Sequence, residues 1–64
     1  MQIKSIQKHL APFHHLEKSD GIHYFFSDLP HESSGGSIYV YSFRDYSLAR
    51  WLQEYESYKA ELRE

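Results

Sequence analysis

Five histidines, nine acidic side chains and no cysteine make up the reactive groups of this chain. His9, His14, His15, His23 and His31, with Glu17 or Glu32, are residue types from which a zinc-like ion takes imidazole and carboxylate ligands. Their spacing assembles no such site. There is no HExxH or comparable pattern, and adjacent residues such as His14 and His15 point to opposite faces of a strand. Nucleophilic catalysis lacks its parts as well. No serine sits in a Gly-x-Ser-x-Gly elbow, and Ser33 and Ser34 fall in a loop, a poor platform for catalytic geometry. Gly35-Gly36 leads into a strand-like run with no lysine after it, unlike a phosphate-binding loop. The expectation is a protein with no catalytic residues, no metal and no cofactor.

The bulk properties narrow the class further. Sixty-four residues make one small domain, and a chain this short buries only about 60% of its unfolded surface. Leu, Ile, Val and Phe total 15 residues, just above the range of disordered chains. Six tyrosines lift the aromatic share to 17% and supply large contact areas to a core with few members. The net charge of −2 compels no nucleic-acid partner. It is unevenly spread, at +2 over residues 1–18 and −4 over residues 19–64. No apolar run is long enough to span a bilayer and no signal peptide is visible, so the expected location is cytoplasmic.

The elements that must position these groups follow from hydrophobic period. Ile3, Ile6 and Leu10 recur at helical spacing before Pro12, which predicts a short helix over 2–10. Asp20-Gly21 between two strand-like runs predicts a hairpin over 13–27 with a two-residue turn. The register follows: Ser19 faces Ile22, Glu17 faces Tyr24, Leu16 faces Phe25 and His15 faces Phe26. One face then carries Phe13, His15, Glu17, Ile22, Tyr24 and Phe26, the other His14, Leu16, Lys18, His23, Phe25 and Ser27. The first is the more apolar and is assigned to the core.

Residues 28–36, rich in Pro, Ser and Gly, form a loop. Residues 37–43 form a third strand, with Ile38 and Val40 inward and Tyr39, Tyr41 and Phe43 outward. Leu48, Trp51, Leu52, Tyr55, Tyr58 and Leu62 make the apolar stripe of a helix over 46–62, started by the Asp45 carboxylate, with Trp51 and Leu52 expected to be its best buried residues. Its charges pair along the helix surface, Arg50 with Glu54 and Glu56 with Lys59. The expected fold is therefore α+β, a single α-β-β-β-α domain. Its three-stranded antiparallel sheet carries both helices on one face.

That element order, with Gly21-Ile22-His23-Tyr24-Phe25 entering the second strand, resembles the double-stranded-RNA-binding fold. It is also similar to the HicA-type messenger-RNA-cleaving toxins built on that fold. Those toxins carry Gly-Ser-His at the corresponding place, and the resemblance implies a catalytic role for His23. The present chain has Ile22 in place of the serine.

Two functions are consistent with this reading. The first is a non-enzymatic protein-binding module acting through the sheet face opposite the helices, by self-association as a homodimer or by docking on a larger protein. The expected interface is His14, Leu16, His23, Phe25, Tyr39, Tyr41 and Phe43, an aromatic patch larger than a monomer usually exposes. Small cysteine-free domains of this size class include phage and mobile-element accessory proteins and inhibitors of host enzymes. The second is an RNA-directed function in which Phe25, Tyr39 and Tyr41 stack on bases beside Lys18. The acidic balance favours the first, because phosphate contacts dominate nucleic-acid affinity.

Overall fold

A computed structural model describes residues 3–63. The chain folds as a small α+β unit: a 3-10 helix over Ile3–His9, a hairpin of β1 (His14–Ser19) and β2 (Ile22–Ser27), a short 3-10 turn over Phe43–Asp45, and the helix α1 (Leu48–Leu62). The first helix is wound as a 3-10 helix, yet its stripe packs inward as the spacing requires, with Ile6 and Leu10 buried. The expected start of that helix at Gln2 lies outside the described residues. Among the described residues no helix is long and apolar enough to cross a membrane.

The hairpin register is the expected one, with Ser19 opposite Ile22, Glu17 opposite Tyr24, Leu16 opposite Phe25 and His15 opposite Phe26. Asp20 and Gly21 both have positive φ, 50° and 80°, as a two-residue type I′ turn requires. A Cβ at Gly21 meets nothing within 4 Å, so only backbone strain opposes a side chain there. Gly21→Val is therefore expected to destabilise the hairpin by about 1–2 kcal/mol, because a β-branched residue is held in a left-handed conformation. A thermal melt checks this, and an unchanged midpoint would show that the turn does not depend on glycine.

The sheet is turned over relative to the expected one. His14, Leu16, His23 and Phe25 face α1 and are buried, while His15, Ile22, Tyr24 and Phe26 are half-buried on the opposite face. Counting apolar side chains put the wrong face inside, because it treated His14 and His23 as polar residues needing water. Both rings are instead packed on aromatic side chains of α1, and hydrogen bonds satisfy three of their four nitrogens.

The sheet also has two strands, not three. Ile38 exchanges backbone hydrogen bonds with His23, at 2.8 and 2.9 Å, and Gly35 donates to the Phe25 carbonyl. The ladder then stops. The Val40 amide turns back to the Ile38 carbonyl, which diverts the chain before another pair can form. Ile38 and Val40 nevertheless point inward and Tyr39 and Tyr41 outward, as alternation predicts. Phe43 departs from that pattern and is buried, stacked on Trp51 with centroids 5.2 Å apart.

The α1 stripe buries Trp51, Tyr55 and Tyr58, whereas Leu52, expected among the best buried, is only partly covered. Ser47 is the N-cap, its hydroxyl accepting from the Arg50 amide. Asp45, expected in that role, accepts from the Ser42 amide and closes the preceding turn. The two surface pairs form as expected, Arg50–Glu54 at 3.3 Å and Lys59–Glu56 at 2.9 Å.

Candidate functional site

Two groups of side chains concentrate the polar chemistry. The first is centred on His14. Pairing in β1 turns its ring toward α1, where Nδ1 meets the Tyr55 hydroxyl at 2.7 Å and Nε2 meets Glu32 Oε1 at 3.0 Å. The Tyr55 oxygen already accepts the Ala11 amide, so its own proton is free to go to His14 Nδ1. His14 in turn donates from Nε2 to Glu32. Ser27 donates to the same carboxylate oxygen at 2.7 Å and accepts the Leu29 amide. These bonds with Ser27 and His14 hold the Glu32 carboxyl below its ordinary range.

A tyrosine, a histidine and a glutamate in series have the form of a proton relay. Tyr55 and His14 are both only 4% exposed, however, and the polar atoms of both rings are satisfied from within the chain. The arrangement pins the 28–36 loop and the start of β1 to the middle of α1. Tyr58 adds a further tie from its hydroxyl to the Ser33 carbonyl, and burial pushes its phenol up. No sequence pattern announces this network. Its members lie up to 44 residues apart and meet only because the hairpin folds onto the helix.

The second group surrounds His23. Its ring has no exposed surface, lies 5.0 Å from the Trp51 ring and hydrogen-bonds the Val40 carbonyl through Nδ1 at 3.0 Å. That bond makes Nδ1 the protonated nitrogen, and Nε2 is buried without a partner. Burial holds the imidazole below its ordinary value. A reacting phosphate or base has no path to either nitrogen.

His9 and His31 are exposed, and His15 pairs with Asp28 at 2.7 Å on the open sheet face. Among the described residues no three His, Asp or Glu side chains converge as metal ligands. Among the described residues, two shallow pockets stand out. One, of about 180 Å³, opens beside His14, Glu32, Lys59 and Arg63. The other, of about 170 Å³, lies between Gly35–Ile38 and the Glu54–Glu61 side of α1. Both fall short of the roughly 300 Å³ at which small-molecule pockets begin.

The seven residues expected to form one interface divide sharply. His14, Leu16, His23, Phe25 and Phe43 are core residues, whereas Tyr39 and Tyr41 are 85% and 78% exposed. The surface that sequence reasoning missed is the other side of the hairpin. There Phe26 packs against His15 at 5.0 Å and against Tyr24 at 6.0 Å, with Ile22 alongside. Its signal was present in the alternation of β2, which was read with the wrong side inward.

No protein-family model, curated protein or solved structure matches the chain.

Proposed function

We propose that this chain is a non-enzymatic protein-binding module that acts through the aromatic side of its hairpin and the adjoining Tyr39–Tyr41 segment. The observation that carries the reading is the exposure of Tyr39 and Tyr41. Nine other apolar and aromatic residues are gathered into the core, and these two large rings are left almost fully in water. On the pleat, Tyr39 falls on the same side as Ile22, since its neighbour Ile38 shares the inner side with His23. Tyr24, Phe26 and Tyr39 thus extend one surface opposite α1. Tyr41, two residues on, is exposed beyond the end of the ladder, where the Lys18 ammonium lies 4.8 Å from its ring. Exposed tyrosines with few aliphatic neighbours are typical of contact surfaces, since each gives area at low conformational cost.

The RNA-directed alternative draws less support. It needs Phe25 as a stacking platform and His23 as the reacting group, and both are buried under α1.

The test is the double variant Tyr39→Ser, Tyr41→Ser. Neither ring contributes to the core, so its melting temperature is expected to stay within a few degrees of the parent. Proteins captured from native-host extract by the parent, or self-association measured by mass in solution, are expected to be lost. Retention of both the fold and every association would refute the reading. RNA captured in their place, with binding that falls steeply as salt rises, would install the alternative.

A further inference from the structure

The 3-10 helix packs against β1 and the segment after it bonds the His14 end, and the pairing pattern leaves the rest of that strand edge without hydrogen bonds. Tyr24 and Glu17 face each other within the ladder, and His23 exchanges its bonds with Ile38 on the far side. The backbone groups of His14, Leu16 and Lys18 must then point away from β2. Those of His14 are taken, its amide by the Ala11 carbonyl and its carbonyl by the Gln7 side chain. Among the described residues, Leu16 and Lys18 have no partner for either group. The far edge of β2 is covered by Gly35–Ile38, so β1 is where a further strand can add.

The chemistry of the adjoining face selects what adds. It presents the half-buried rings of Tyr24, Phe26 and His15, and beside them Glu17, Asp20 and Asp28, all exposed. Six of the seven lysines and arginines lie outside residues 13–28, and Asp28 is already paired with His15, so Glu17 and Asp20 are the acids left to a partner, with Lys18 the one lysine or arginine along the hairpin. Aromatic faces bordered by carboxylates attract guanidinium groups, which stack on the rings and pair with the acids. A second copy of the chain fits poorly. Central antiparallel pairing of two β1 edges sets Glu17 against its own copy, and like charges directly opposite are destabilising.

We infer that the free edge of β1 takes an extended, arginine-bearing segment of a partner protein, which adds as a strand and lays its basic side chains over the acid-rimmed aromatic face. This rests on the binding-module reading and names the partner chemistry and the mode of attachment.

The test selects ligands from a random library of displayed dodecapeptides on the immobilised protein, with counter-selection on the variant Glu17→Lys, Asp20→Lys. Enriched sequences are expected to carry arginine or lysine at alternate positions among apolar residues. A synthetic peptide of the leading sequence should slow hydrogen exchange at the Leu16 and Lys18 amides. Its affinity should fall by about tenfold or more in Glu17→Gln, Asp20→Asn, and fall again as salt rises.

Enrichment without basic residues, or binding that leaves both edge amides unprotected, overturns the inference. If such peptides still require Tyr39 and Tyr41, the binding-module reading survives that failure. If no peptide is enriched, or if the protein dimerises through β1 in their place, strand addition by a basic partner is likewise overturned.

Discussion

Trp51→Ala is expected to leave little folded protein at physiological temperature. The indole is fully buried, stacks on Phe43 and lies 5.0 Å from both the His23 and Tyr46 rings. It joins the first half of the chain to the last at one point. Truncating a buried tryptophan costs about 3–5 kcal/mol through lost burial and the cavity left behind. The indole N–H also donates to the Phe43 carbonyl at 2.8 Å, and losing that bond adds about 0.5–1.5 kcal/mol, the carbonyl keeping the Tyr46 amide as its other donor. A single core in a chain of this length supplies only about 3–5 kcal/mol in all. Trp51→Phe retains much of the ring packing and forfeits the hydrogen bond, so it should fold with a clearly lowered midpoint. Leu52→Ala, one residue along but only partly covered, should cost less than Trp51→Ala. Circular dichroism and thermal melts of the three variants check the order. A Trp51→Ala protein melting within a few degrees of the parent would refute this account of the core.

The second large effect is acid destabilisation through His23. Burial lowers the folded-state pKa of this imidazole from 6.5, and the nearby Lys18 charge acts in the same direction; the Val40 carbonyl and Asp45 oppose it. The folded form is thus the poorer proton binder. Its contribution to stability is fully present above pH 6.5 and is lost as pH falls through the folded pKa. Over that window stability should drop by up to about 1.4 kcal/mol per pH unit. Glu32 adds a later step. Its carboxyl is lowered from 4.5 by the Ser27 and His14 hydrogen bonds, so its contribution holds above that value and disappears at lower pH. His23→Asn retains a donor for the Val40 carbonyl and cannot titrate. Chemical denaturation across mildly acidic pH should show a flatter profile for this variant than for the parent. An identical slope in both would mean that His23 is protonated as easily in the folded chain as in the unfolded one.

These two residues also show where local reasoning stops. The periodicity of residues 48–62 announced a helix, and Trp51 stood on its apolar stripe. Of the two stripe residues expected to lie deepest, Trp51 does and Leu52 does not; beyond reach was the partner of Trp51, Phe43, a residue assigned to the outside of a strand that does not form. His23 was placed on the solvent side because histidine counts as polar. Its Nδ1 bond to Val40 arises only once the 35–40 segment has come alongside β2.

The sequence by itself determined the features that depend on neighbours along the chain. Asp20-Gly21 set the turn, and the turn set the hairpin register to the residue, since Asp-Gly suits the left-handed pair of a type I′ two-residue loop. Alternation placed Ile38 and Val40 inward and Tyr39 and Tyr41 outward. Tertiary structure alone decided which side of the hairpin meets α1. A strand pattern has two faces related by a flip, and here the less apolar of the two went inside, so counting apolar side chains chose wrongly. The choice fell to hydrogen bonds between distant residues: His14 with Tyr55 and Glu32, and His23 with Val40. Those bonds offset part of the cost of taking two imidazoles out of water, though His23 Nε2 stays unpaired, and the Tyr24–Phe26 side is left outward.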